Sequence, residues 1–167
     1  TNNPITHYNL GLAYSRKGDL EKAKFHYTRA LEAKPGYTDA QNNLAATLLS
    51  EGRIKEAIAE YEKLLEKSPD HLLANYNFGL AHEIQNNWAT AAKHFERVVN
   101  AEPHNVEAYV KLINTLGRSG QVTAAHFRIE EMLKRNPNSP DAHIAAATIL
   151  MEQNRLPDAI STLRQAI

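Results

Sequence analysis

Three asparagines, Asn9, Asn43 and Asn77, recur at intervals of 34 residues. A primary amide is both donor and acceptor, so it pairs with a peptide unit whatever side chains that peptide carries. Evenly stacked amides would hold an extended chain by its backbone. Other chemistry is poorly represented. The eight histidines include no two that lie three or four residues apart, so no helix offers a histidine pair to a metal. The chain has no Gly-rich phosphate loop, no Gly-x-Ser-x-Gly and no His-Glu-x-x-His. Cysteine is absent, which removes disulfides, thiolate-ligated zinc and a thiol nucleophile. These residues predict a protein that is not an enzyme and that needs neither cofactor nor metal.

The elements that must carry the asparagines follow the same period. Pro35, Pro69, Pro103 and Pro137 are 34 residues apart, as are Ala23, Ala57, Ala91, Ala125 and Ala159. Gly18, Gly52, Asn86, Gly120 and Asn154 keep that spacing too, and Gly and Asn best tolerate the left-handed conformation that ends a helix. The repeats span 4–37, 38–71, 72–105, 106–139 and 140–167, with no insertion, and the fifth stops at its position 28. Each reads as two helices. In the first, helix A covers 5 to about 17 and helix B about 20 to 33, where Pro35 prevents continuation. Apolar residues recur at helical spacing (Leu10, Ala13 and Tyr14, then Leu20, Ala23, Tyr27, Ala30 and Leu31) and strand alternation is missing. Ser139 before Pro140 is a good N-cap followed by a favoured first-turn proline.

The period, the paired helices and the column set resemble the tetratricopeptide repeat (TPR) family. The first repeat carries Leu10, Gly11, Tyr14, Ala23, Tyr27, Ala30 and Pro35; the second Leu44, Ala45, Leu48, Ala57, Tyr61, Leu64 and Pro69. The third carries Phe78, Gly79, His82, Ala91, Phe95, Val98 and Pro103, and the likeness extends over residues 4–167. It implies an all-α TPR solenoid, a single array forming a right-handed superhelix of antiparallel helix pairs. Helix A would line the concave groove and helix B the convex back. Two columns depart from the pattern. Ile113 stands where the other repeats have Gly11, Ala45, Gly79 and Ala147, which predicts a wider helix pair. The helix-A column usually held by a large aromatic is His7, Gln41, Asn75, Tyr109 and His143, which predicts a less apolar packing edge.

Two binding modes of the family can be laid on the groove positions. The carboxylate clamp of chaperone-binding TPR domains does not fit: from the first repeat its positions hold Tyr8, Leu12, Asn43, Leu73 and Asn77, of which only Asn43 matches. From the second repeat, Glu107 falls where a cation belongs. The asparagines fit better. Asn9, Asn43 and Asn77 share one groove position and resemble the asparagine ladder in the TPR array of O-linked N-acetylglucosamine transferase. Tyr8, Leu12, Tyr76 and Leu80 would add apolar contact beside them, with Asn42 next to the ladder. The ladder stops at Lys111 and Ala145, and Asn114 faces the groove further along. Each neutral hydrogen bond contributes about 0.5–1.5 kcal/mol net, so three amount to roughly tenfold to a thousandfold in affinity. The alternative is that Asn before Leu-Gly is plain family consensus with no ligand.

Composition narrows the partners. Nineteen Lys and Arg balance nineteen Asp and Glu, which disfavours nucleic acid and anionic membranes. No run of about eighteen apolar residues exists, and residues 1–20 have no apolar signal core. A protein or peptide partner in a soluble compartment, the cytoplasm ahead of the periplasm, is the expectation. The first repeat is net +3 and the second net −3. Together with an apolar end at Leu163, Ala166 and Ile167 that lacks a capping helix, this leaves two other readings open: self-association through that end, or a fragment of a longer protein serving as the docking arm of an enzyme.

Overall fold

The computed structural model describes residues 3–166, and Ile167 of the apolar end lies outside them. Those residues form ten helices: α1 Pro4–Lys17, α2 Leu20–Ala33, α3 Thr38–Ser50, α4 Ile54–Lys67, α5 Leu72–Ile84, α6 Trp88–Ala101, α7 Val106–Arg118, α8 Val122–Arg135, α9 Pro140–Glu152 and α10 Leu156–Arg164. Odd-numbered helices are the A helices of the repeats and even-numbered ones the B helices. The stop signals act where their spacing placed them. Gly18, Gly52 and Gly120 have φ of 81°, 75° and 81°, and Asn86 and Asn154 have 58° and 59°, the left-handed region that these two residue types enter at least cost. Side-chain caps mark six of the ten starts. The Asn3 Oδ1 accepts from the Ile5 amide at 2.9 Å, and the Ser139 Oγ from the Ala142 amide at 3.3 Å, each just before a first-turn proline.

The chain divides into two compact units, the first ending at Gln85 and the second starting at Asn86. The division cuts the third repeat between its two helices. In unit 1, α1 packs on α2, α2 on α3, α3 on α4 and α4 on α5, while α3 also meets α5 directly. Its core holds Tyr27, Ala45, Leu48, Tyr61, Leu64 and Phe78. Close approach of α1 and α2 depends on Gly11: a Cβ there would stand 2.5 Å from Tyr27 Cε1, inside any real contact. In unit 2, α7 packs on α6, α8 and α9, and α10 on α9. Its core holds Phe95, Val98, Val99, Tyr109, Leu112, Ile113 and Met132.

The fourth repeat deals with its bulky Ile113 by exchange. Ile113 is buried, and so is Ile129, which takes the column held elsewhere by Tyr27, Tyr61 and Phe95. Volume added on the A helix is partly offset by the smaller residue on the B helix. A branched aliphatic pair thus replaces the glycine–ring pair, as close packing of interiors requires.

Candidate peptide-binding face

The polar helix-A column positions the site. Its members are anchors, and Gln41, Asn75 and His143 are buried. The Asn75 Nδ2 donates to Pro69 O at 2.8 Å and to His71 O at 3.1 Å. In unit 2 the His143 Nε2 lies 2.9 Å from Pro137 O. At this register α5 and α9 are thus tied to the backbone of the turn before them. Pro69 O and Pro137 O sit beyond the end of the preceding B helix, where intrahelical partners are lacking, so a buried amide or imidazole satisfies them. The Gln41 Nε2 donates to Glu60 O at 3.4 Å, and the His7 and His26 Nδ1 atoms approach to 3.0 Å. Here the polar edge expected from the sequence becomes a set of hydrogen bonds that orients the A helices.

On that frame, unit 1 assembles a chain of groove side chains across α1, α3 and α5. The Asn43 Nδ2 donates to the Tyr8 hydroxyl at 3.4 Å. The Asn42 Nδ2 donates to Asn43 Oδ1 at 3.1 Å, and the Asn77 Nδ2 to Asn42 Oδ1 at 3.4 Å. Two of these three bonds lie at the long end of hydrogen-bond geometry and are correspondingly weak. Asn43 and Asn77 are half-buried, while Asn9 is exposed. Tyr8 is held against Tyr37, with ring centroids 5.0 Å apart, and Leu12, Tyr76 and Leu80 are half-buried on the same three-helix set.

Burial corrects one residue of the expected set. Asn42 is 2% exposed, so it does not face a ligand. It bridges Asn43 and Asn77 and fixes the rotamers of both. Lys111 and Asn114 belong to unit 2, apart from the eight residues of unit 1. There Asn114 lines a cavity of about 480 Å³ enclosed by α7, α8 and α9. The sequence showed the period of the asparagines but missed the link through Asn42 and the Tyr8–Tyr37 contact. The 35-residue offset of Asn42 from Asn77, one more than the repeat, was the available signal.

Electrostatically the face is quiet. Burial pushes the Tyr27 phenol up, against hydrogen bonding from Ser15 and Asn43, and it pushes Tyr61 up as well. Both therefore stay neutral at ordinary pH, the Asn77 amide opposing the rise at Tyr61. No grouping of three or more His, Cys, Asp or Glu side chains able to hold a metal occurs among the described residues. None of the described helices is long and apolar enough to cross a membrane.

Paired helices, the first nine of 13 or 14 residues and the last of 9, with a left-handed Gly or Asn after each A helix and one spacing throughout, define an all-α helical-repeat protein. Residues 14–78 match the family described as "Tetratricopeptide repeat", and residues 84–166 match "Anaphase-promoting complex, cyclosome, subunit 3". The two matches together span most of the chain, and its fold is that of the tetratricopeptide repeat solenoid. Human DnaJ homolog subfamily C member 7 is 27% identical over 163 residues, covering 90% of this chain and 33% of that protein. Cellulose synthase operon protein C of Pseudomonas fluorescens is 24% identical over 157 residues, covering 89% of this chain and 12% of that protein. The chain thus spans 33% or less of the length of these two relatives.

Solved structures share the fold at low identity. MamA from Desulfovibrio magneticus RS-1 superposes with a TM-score of 0.80 at 17% identity, covering 98% of this chain and 92% of that one. YrrB, described as a TPR protein with an unusual peptide-binding site, gives 0.76 at 21% identity, covering 99% and 86%. The fold is consistent with a protein–protein interaction module.

Proposed function

We propose that unit 1 binds an extended peptide segment by its backbone, along the face formed by α1, α3 and α5. Asn9, Asn43 and Asn77 supply the hydrogen bonds. Tyr8, Leu12, Tyr76 and Leu80 supply apolar contact. The observation that carries this reading is the amide–hydroxyl chain Tyr8–Asn43–Asn42–Asn77, which spans three A helices. Its two 3.4 Å bonds are weak enough for a peptide unit to displace them with shorter ones. Asn42, which is buried, holds the two amides in place while that exchange occurs. Pre-set donors lower the ordering cost of binding. Because Asn43 and Asn77 already have partners, the gain per amide falls at the low end of about 0.5–1.5 kcal/mol.

The test is selection of peptides from a random display library on the immobilised chain. Selected peptides are then titrated against the Asn9→Ala/Asn43→Ala/Asn77→Ala variant. Recognition through the backbone predicts that affinity falls by about tenfold or more. It also predicts that selected sequences share spacing but little side-chain identity. Peptides that bind the triple variant equally well would refute the ladder.

A second reading rests on a separate observation. Leu156, Ile160 and Leu163 on α10 are all exposed, at 51%, 54% and 36%, and their spacing puts them on one helix face. Such a face is suited to covering by another chain. Light scattering of the chain and of its Ile160→Glu/Leu163→Glu variant distinguishes self-association from a face that remains solvated.

A further inference from the structure

Unit 2 contains a cavity whose walls do not follow the repeat pattern. It is about 480 Å³, open on one side, and its floor includes Ile113 and Ile149, both buried. Gly117 forms part of the wall. It sits inside α7, one residue before the end, and the same register holds Ser15, Leu49, Glu83 and Met151 in the other A helices. Neither usual reason for a glycine applies. Its φ is not positive, and a Cβ placed there would meet nothing within 4 Å. A helical glycine costs roughly 0.5–1 kcal/mol relative to alanine. What it does here is leave the mouth of the cavity open.

The rim carries two opposite charges at one register, Arg118 on α7 and Glu152 on α9. Arg118 is pre-oriented: its guanidinium carbon lies 5.2 Å from the Trp88 ring centroid. It makes no ion pair among the described residues. The neighbouring Arg155 and His126 side chains at the cavity are engaged. Arg155 is paired with Asp158 at 2.6 Å, and the His126 Nε2 lies 2.8 Å from Gln153 Oε1. A guanidinium stacked on an indole keeps its N–H donors for a carboxylate.

We propose that this cavity is an anchor site for one large apolar side chain of a peptide, with an acidic residue on one side of the anchor and a basic residue on the other. The apolar group rests on Ile113 and Ile149 through the opening left by Gly117. The acidic neighbour meets Arg118 and the basic neighbour meets Glu152. Charge order thus fixes which way the peptide runs over the rim. This site lies wholly in unit 2 and uses none of the asparagines of unit 1.

The test uses a capped, fluorescently labelled peptide, acetyl-Gly-Glu-Trp-Lys-Gly-amide, titrated by anisotropy against the full chain. Control peptides replace Trp with Ser, or make both flanking residues Glu or both Lys. Gly117→Leu fills the mouth from a position with open space around it, so its melting temperature should hold or rise while affinity drops by about tenfold or more. Arg118→Glu should weaken the Glu–Trp–Lys peptide and improve binding of the Lys–Trp–Lys peptide. Dependence on the Trp anchor, on the flanking charges and on Gly117 is a readout that sequence-independent backbone capture by unit 1 would not produce, so loss of the unit 1 reading would not mimic loss of this one. Equal binding by Gly117→Leu, or indifference to the anchor or the flanking charges, would overturn the proposal.

Discussion

Gly11 and Gly117 both lie on A helices, one in each unit, and their surroundings differ in kind. At Gly11 a Cβ would strike the Tyr27 ring at 2.5 Å, whereas at Gly117 it would meet nothing within 4 Å. The first glycine is required by packing, and the second is a vacancy in a wall. The units differ likewise in what their A helices present. Unit 1 covers its face with linked amides and phenols, and unit 2 leaves an apolar hollow between charged rims. As proposed, one repeat scaffold has two recognition chemistries, which is open to it because helix-pair packing and groove display use different columns. A change in one column need not disturb the other.

The sharpest way to break this comparison is at the ring that Gly11 accommodates. Tyr27→Ala empties a site against a residue that has no side chain to fill it, and should cost about 3–5 kcal/mol. Ile129→Ala, in the same column of unit 2, removes a smaller buried side chain and should cost less, within about 2–5 kcal/mol. Urea unfolding, with amide exchange to localise the loss, measures both. Equal costs would mean that the glycine–ring pair is not special.

Next in size is the glycine itself. Gly11→Ala should destabilise by about 1–3 kcal/mol through overpacking. Gly11→Ile/Tyr27→Ile, which copies the Ile113 and Ile129 pair, should recover most of that loss. Gly117→Ala should stabilise by about 0.5–1 kcal/mol. Opposite signs from one substitution at two helical glycines, read from thermal melts, would confirm that only the first glycine is structural.

The repeats, their helix pairs and their Gly and Asn stops were legible because each depends on local conformation that one residue type relieves: the left-handed φ at Asn86 and Asn154 follows from the column alone. Ile113 and Ile129 could both be read from their columns, but the burial of both side chains could not. The burial of Asn42 was hidden for a similar reason. Neighbours in sequence, Asn42 and Asn43 are separated by a turn of about 100° around the helix, enough to put one inside and the other at the edge. The Gly117 cavity is a missing side chain, and spacing patterns register residues that are present.

The anchoring column yields a third comparison. Asn75→Ala removes two hydrogen bonds and leaves Pro69 O and His71 O without that donor. The expected loss is about 1–3 kcal/mol. His143→Ala removes one bond, to Pro137 O, and should cost less. Exchange protection at α5 and α9 reports each anchor separately, and matching losses would show that the number of bonds does not set the cost.

The smallest expected effect is a pH dependence of unit 1. The His7 and His26 Nδ1 atoms are 3.0 Å apart, so one must donate and the other accept. A second proton on the pair would set two cationic rings against each other. Burial lowers the His26 pKa, and the nearby His7 lowers it further. Burial also lowers His82, opposed by Glu62. In the unfolded chain a histidine titrates near 6.5. Because the folded values lie below that, the unfolded chain binds more protons in the interval, and stability rises with pH there. The contribution is fully present above about pH 6.5 and is lost as pH falls through the folded values. Thermal melts between pH 7.5 and 5 should show the midpoint falling by about 2–4 °C or less from this source. His26→Phe keeps a ring against Tyr14, which stacks on His26 at 5.4 Å, while removing the titrating nitrogen. The variant should therefore lose part of the acid sensitivity and keep the fold. An unchanged slope would show that the His7–His26 contact carries no proton linkage, leaving His82 as the acid-sensitive point of unit 1.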